Sequence, residues 1–360
     1  MENRPESNMA CNGVLDMKIL SFIIPSYNCE KFLEKCVSSM LHPEILERLE
    51  IIIVNDGSTD STEAIATALC SRYPEVIRLI NQENRGHGGA LNAGCAAAMG
   101  KYLKVIDADD WVETDNLPSY VDFLEQCDSD VVLTHHDTIH IGTGEVKNWK
   151  TYPEEFEKSC SFDEIMSNWK SFDRSLTFHG ITYRREFYQT RGIRLSEHVF
   201  YEDHEYATFP CCYASQVVPL DLLIYHYRIG DVTQSVSDEN QLKRLGHTET
   251  VMKRMISEFE KLELPQESAG RVYVCRKAQG LLLSYLTTAM LVDRNRKQGR
   301  QRGETMMQLF REKLPGAWEM AKKQYTIFCL LNRLHISKKT FEKVLHSGLY
   351  NSLRRNHDFD

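Results

Sequence analysis

No stretch of this 360-residue chain approaches the roughly 20 consecutive apolar residues that a membrane-spanning helix requires. The longest candidate, Leu281 to Val292, is too short and is interrupted by Ser284, Tyr285, Thr287 and Thr288. Met1 to Asp16 carries acids and no apolar core, so no secretory signal is expected there, and residues 1–17 are expected to form a disordered tail. C-x-x-C is absent although there are 11 cysteines, which are scattered and odd in number. The adjacent Cys211 and Cys212 are unsuited to an ordinary structural bridge, and a reduced, cytoplasmic chain is expected. Basic residues are in deficit: 43 Lys and Arg stand against 51 Asp and Glu, a net charge of −8 that argues against nucleic acid as the main partner. Repeats and low-complexity segments are absent too. With 42% apolar and 26% charged residues, fibrous and wholly disordered classes are excluded.

What is present is an alternation of short apolar runs with helical stretches. Ile19 to Ile24, Glu50 to Val54, Val76 to Ile80, Tyr102 to Ile106 and Asp130 to Thr134 read as strands. The second is almost pure isoleucine and valine, as expected of a parallel strand covered on both faces. Helices are expected at about 30–41, from Asp60 (with Glu63, a capping box) to Tyr73, at 88–99 and at 116–127. Five strand–helix units in a row predict a mostly parallel, doubly wound α/β sheet. A hairpin around Gly142-Thr143-Gly144 and a strand within Leu176 to Tyr183 follow. From about Asp238 the pattern is helical: 239–262, 267–292, 304–314 and 318–331. The expected division is an α/β domain over 18–235, with halves 18–115 and 116–235, and a helical domain over 236–360.

In an open α/β sheet, ligands bind beyond the carboxyl ends of the strands. The segments there are Pro25-Ser26-Tyr27-Asn28, Asn55 to Asp60, Glu83 to Gly89, and Asp107-Ala108-Asp109-Asp110-Trp111. Three carboxylates within four residues repel one another unless a cation neutralises them. Oxygen-only ligands favour a hard ion such as Mg²⁺ or Mn²⁺, which also engages substrate phosphates. The glycine-rich Gly86 to Gly89 opens a helix whose N-terminus can approach an anion, and Arg85 adds a cation. Taken singly, each segment is an ordinary turn or helix cap. Their order at successive strand ends points to a metal–diphosphate site. The dinucleotide fingerprint fails, because Leu91 stands where its last glycine belongs.

These stretches resemble the family 2 glycosyltransferases, inverting enzymes of the GT-A fold that use nucleotide sugars: Ser21 to Asn28 with its IIPxYN pattern, the Asp56-Gly57-Ser58-x-Asp60 loop, Asn84 to Ala93, and Gly100 to Trp111. The resemblance is high over Lys18 to Asp115, moderate to about Ser235 and absent beyond. It implies that Pro25 and Tyr27 line a base and ribose pocket, that Asp56 accepts a hydrogen bond from the base, and that Arg85 lies near base or diphosphate. Asn55 stands where the family often has a second acid. By the same resemblance Asp107 and Asp109 hold ribose and metal, Asp110 is the expected direct metal ligand, and Asp203 in Tyr201-Glu202-Asp203-His204-Glu205 is the base, with Glu202 its neighbour. Arg228 and His226, in Tyr225 to Arg228, are candidates for the segment that closes over the diphosphate, His226 as a further metal ligand.

The implied activity is metal-dependent, inverting transfer of a hexosyl or hexosaminyl group from a nucleotide-diphosphate donor, a UDP-sugar by expectation, to a hydroxyl of a glycan or lipid-linked acceptor in cell-surface polysaccharide synthesis. The basic cluster Arg294, Arg296, Lys297, Arg300 and Arg302 is a candidate for peripheral contact with anionic lipid at the inner face of the cell membrane, or a solvated interhelix loop. The C-terminal helices are candidates for binding acceptor, membrane or a second copy in a homodimer. A sugar nucleotidyltransferase is the first rival, but it needs a glycine-rich loop where Pro25-Ser26-Tyr27-Asn28 stands. A non-catalytic nucleotide-binding scaffold is the second.

Overall fold

A computed structural model describes residues 18–154, 156–230 and 238–345. The expected tail (1–17), the 235/236 boundary, and Gln234 and Ser235 lie outside the described residues. Ten strands form one sheet: β1 (Leu20–Ser26), β2 (Leu49–Asp56), β3 (Ile77–Gln82), β4 (Tyr102–Val105), β5 (Trp111–Val112), β6 (Val131–His140), β7 (Val146–Trp149), β8 (Cys160–Ser161), β9 (Ile181–Arg184) and β10 (Gln216–Ile229). Their order is β3-β2-β1-β4-β9-β6-β10-β5, with β7 on β6 and β8 on β10. The ladder β3-β2-β1-β4 is entirely parallel, and β6 runs parallel to β10. The fold class is as expected, a mostly parallel α/β sheet followed by helices. The departure is β9, which enters antiparallel between β4 and β6 and joins the two parallel sets.

β1 and β2 are buried along their whole length, because each face of the sheet is covered. Alternate residues sort between the faces. Phe22, Ile24, Ile51 and Ile53 pack with Leu33, Val37 and Met40 of the helix Leu33–Met40. Ile23, Ile52 and Val54 pack with Ala90, Leu91 and Cys95 of the helix Gly86–Ala97. Parallel pairing then brings the carboxyl ends of β1, β2 and β4 to one edge. The expected capping box at Asp60 does not form: Asp60 accepts instead from the backbone amides of Thr62 and Glu30 (3.0 and 3.1 Å), and Ser61 is the N-cap.

The C-terminal region comprises the helices Asp238–Lys243, Leu245–Lys261, Ala269–Thr287, Arg296–Lys313, Pro315–Arg333 and Lys338–Leu345. The helix Ala269–Thr287 belongs to two cores. Tyr273 and Val274 pack with Tyr183 and Tyr206 beneath the sheet, while Leu281, Leu282 and Leu286 pack among the helices. The basic run is not an interhelix loop: Asn295 caps the helix that starts at Arg296, its side chain accepting from the amide of Gln298 at 3.1 Å. Arg296 donates to the carbonyl of Met290 (2.6 Å), Arg300 to Asn332 (2.6 Å), and Arg302 pairs with Asp293 (3.5 Å), so three of the five cations join helix ends.

Under the sheet edge, Lys104 of β4 is fully buried and its Nζ donates to the carbonyls of His179 (2.8 Å) and Ile181 (3.3 Å). Burial pushes its ammonium down to about 7. From there up to about pH 10 the unfolded chain holds the extra proton, so this residue makes stability rise with pH across that window. Lys104→Met is expected to be at least as stable as the wild type at neutral pH, with an advantage that shrinks as the pH is raised. Thermal melts across the window check this, and an advantage that grows with pH contradicts it.

Candidate active site

Two adjoining cavities open at the shared strand edge. The first, about 350 Å³, is lined by Pro25, Tyr27, Asp56, Asn84, His198 and Phe200 among others. The second, about 430 Å³, has Asp107, Asp109, His179, Glu202, Asp203 and Tyr227 in its walls. Pro25, Tyr27, His87 and Phe200 line both. A larger cavity of about 510 Å³, lined by Arg85, Asn92, Tyr188 and Arg194, contains no carboxylate and lies apart from this chemistry.

Asp56 ends β2 and is 2% exposed. Its Oδ1 accepts from Gln82 Nε2 (2.6 Å) and from the Arg85 amide (2.9 Å). Its Oδ2 is buried and has no hydrogen-bond partner among the described residues, which leaves one acceptor for a donor arriving from the cavity. Asp107 and Asp109 follow β4. Asp107 Oδ1 meets His87 Nε2 at 2.9 Å, and Asp109 lies 3.8 Å from the Arg228 guanidinium, which itself sits 4.5 Å over the Phe32 ring.

Asp110 takes a different direction from the role expected of it. It is 1% exposed, and its two carboxylate oxygens accept from the Tyr225 hydroxyl (2.6 Å) and the Arg228 amide (2.7 Å). Burial, and then the negative charges of Asp109 and Asp107, push its carboxyl well above the usual carboxylate range. Asp110 is thus a tie between the loop and β10, and Asp109 is the acid that faces the cavity. His226 is also displaced from the expected position. Side chains alternate along a strand, so His226 and Tyr227 point to opposite faces of β10. Tyr227 lines the cavity and stacks on His179 (4.4 Å), while His226 stacks under Trp111 (5.5 Å) with Glu113 at 3.3 Å. Trp111 carries Lys35 on its other side, with Nζ 3.2 Å from the ring centroid, so it is not an open platform for a sugar.

Glu202 and Asp203 line the same cavity, at the start of the helix Asp203–Thr208. Glu202 is 2% exposed; its Oε1 meets His87 Nδ1 at 2.5 Å and its Oε2 is buried without a partner among the described residues. Burial alone would discharge the His87 ring, but Asp107 and Glu202 outweigh it and hold the imidazolium well above its ordinary range. His87 stands inside the glycine-rich segment, and the residues around it in sequence assign it no role; only the fold brings Asp107 and Glu202 to its two nitrogens. The Arg85 side chain turns away from both cavities to form a two-bond ion pair with Glu197 (2.9 and 2.5 Å).

Among the described residues no three His, Cys, Asp or Glu side chains converge as a ready-made metal cage. The donor set nevertheless fits Mg²⁺ or Mn²⁺, which is commonly held by one or two carboxylates with substrate phosphates completing the shell. Burial raises the Asp110 carboxyl first, and the charges of Asp109 and Asp107 add to it; a cation between the acids would offset that second, smaller part.

Residues 21–192, which span β1 to β9, match the family described as Glycosyl transferase family 2. The likeness to that family thus covers a little under half of the chain and includes Pro25, Tyr27, Asp56, Asp107 and Asp109. It is 32% identical over 218 residues to EpsJ, an uncharacterized glycosyltransferase of Bacillus subtilis, covering 58% of this chain and 61% of that protein. It is 30% identical over 155 residues to the chondroitin synthase of Pasteurella multocida, covering 43% of this chain and 16% of that protein. With three curated relatives the matched part is 38%, 61% and 62% of the relative's own length. TarS 1–349 of S. aureus, solved with UDP-GlcNAc, shares the fold at a TM-score of 0.55 and 17% identity, over 88% of this chain and 92% of that one. Among the described residues no helix is long and apolar enough to cross a membrane.

Asp110→Ala is expected to cost roughly 1–3 kcal/mol of stability, because a buried hydroxyl and a buried amide lose their acceptor. Asp109→Ala is expected to stay within about 0.5 kcal/mol of the wild type. Denaturant unfolding of both variants checks the ordering, and equal costs contradict the assignment of Asp110 as a structural tie.

Proposed function

We propose that the protein transfers a hexosyl or N-acetylhexosaminyl group from a UDP-sugar to a hydroxyl of a glycan or lipid-linked acceptor, with inversion at the anomeric carbon, in the making of a cell-surface polysaccharide. The observation that carries this reading is one cavity whose lining brings together Asp107 and Asp109, which follow β4, with Glu202 and Asp203 from beyond β9. The relatives that are polysaccharide synthases and the fold shared with a UDP-GlcNAc complex support the donor and the context.

In this reading the base enters the smaller cavity, where the unpartnered Oδ2 of Asp56 accepts its N–H and Tyr27, 54% exposed, covers it beside Pro25. Asp107 bonds the ribose, and Asp109 would hold the divalent metal, whose chemistry there would be to offset charge on the diphosphate. Arg228, close to Asp109, adds a fixed cation for the same charge. Asp203 accepts the proton of the acceptor hydroxyl as its oxygen bonds to the anomeric carbon and the bond to the diphosphate breaks. Glu202, held by His87, fixes the approach of Asp203. Contact with anionic lipid is placed on Arg294 and Lys297, the exposed members of the basic cluster, in a protein that works at the cytoplasmic face.

Titration calorimetry of UDP and GDP, with and without Mn²⁺, tests the donor site. UDP is expected to bind with metal dependence and ahead of GDP. Asp109→Ala is expected to lose the metal-dependent part, and Asp56→Ala to weaken binding with or without metal. Asp203→Asn is expected to bind UDP like the wild type while its turnover falls on the order of 10²-fold or more. Failure of the folded chain to bind either nucleotide, or undiminished turnover by Asp203→Asn, overturns the reading.

A further inference from the structure

The glycine-rich first turn of the helix Gly86–Ala97 reads as a place for a phosphate, yet Gly86 and Gly88 are packed against another segment of the protein. A Cβ at Gly88 would stand 2.1 Å from the Ser196 carbonyl oxygen and 2.9 Å from Cγ of Glu202. Gly86 has φ +76°, and a Cβ there would lie 3.0 Å from the His198 amide nitrogen. That amide donates to the carbonyl of Arg85 at 2.9 Å. The Arg85–Glu197 pair fastens one end of the segment 196–203, and the His87–Glu202 bond fastens the other. Within the segment, His198 (φ +56°) and Tyr201 (φ +74°) hold left-handed conformations that side-chain-bearing residues avoid, so its path is imposed by what it docks on.

From this geometry we infer that the turn 85–89 is the dock for the base-bearing segment 196–203, and that His87 is a positioning residue. Through Nε2 it is fixed to Asp107 at the donor side, and through Nδ1 it fixes Glu202, the neighbour of Asp203. Phe178 closes over its ring at 5.8 Å. Among the described residues no other hydrogen bond reaches the Glu202 carboxylate: Oε1 has His87 and Oε2 is without a partner. The imidazole therefore sets where the Glu202–Asp203 pair stands relative to the bound donor. The consequence for turnover rests on Asp203 being the base; the docking itself does not.

The two ring nitrogens can be tested separately. An asparagine amide reaches the place of Nδ1 and keeps the Glu202 link, whereas a glutamine amide reaches the place of Nε2 and keeps only the Asp107 link. In the full chain, His87→Ala and His87→Gln are expected to lower kcat at least about tenfold with the donor KM within about threefold, and His87→Asn to recover kcat to within about threefold of wild type. Recovery by Gln in place of Asn, or full kcat in all three variants, overturns the positioning role. Hydrogen exchange supplies a readout that does not need turnover. His87→Ala is expected to speed exchange over 196–203 while leaving β1, β2 and β4 unchanged, and unchanged protection of 196–203 overturns the docking. A wild-type chain without turnover on UDP-sugars, but with this local loosening in the variant, refutes the base reading and keeps the dock.

Discussion

The Asp110 carboxylate, buried between the loop after β4 and the strand β10, is the contact on which the shape of the site depends. Three acids in four residues cannot all face one cavity without a large electrostatic cost. Turning Asp110 inward, onto the Tyr225 hydroxyl and the Arg228 amide, removes one of them and ties residues far apart in the chain. Asp107 and Asp109 then remain at the cavity wall, and Arg228 is brought beside Asp109. The tie also fixes the frame of β10, so that Tyr227 enters the cavity while His226 goes beneath Trp111.

A second bridge crosses the cavity in the other direction. His87 takes Asp107 on one nitrogen and Glu202 on the other. Two carboxylates around one imidazolium offset the cost of burying Glu202, which is 2% exposed. The parallel ladder supplies Asp56, Asp107 and Asp109, and the segment beyond β9 supplies Glu202 and Asp203. His87 is where the two halves meet, and Arg85 with Glu197 reinforces the same contact from outside the cavity.

The parts legible in the sequence are those decided by local pattern. Ile51 to Val54 can only be a strand buried on both faces, and the strand ends then place Pro25, Tyr27, Asp56, Asp107, Asp109 and, through the later Glu-Asp pair, Asp203 around one opening. What was not legible depends on direction or on distant partners. Asp109 and Asp110 are neighbours of the same type, and only the presence of Tyr225 and the Arg228 amide decides which one is buried. His226 and Tyr227 differ by one step of strand alternation whose phase is set by pairing with β5 and β6. The antiparallel entry of β9 is a non-local pairing with no signature in its four residues. The basic run 294–302 lacks apolar periodicity, so its helical start at Arg296 follows from the Asn295 cap and from carbonyls at neighbouring helix ends.

The most direct test of the central claim is a crystal structure of the chain soaked with UDP and Mn²⁺. The account predicts the base against Asp56 Oδ2, the diphosphate running past His87, and the metal on Asp109 with Asp110 still bonded to Tyr225. Metal density on Asp110 or His226, or the nucleotide in the cavity beside Arg194, would contradict it.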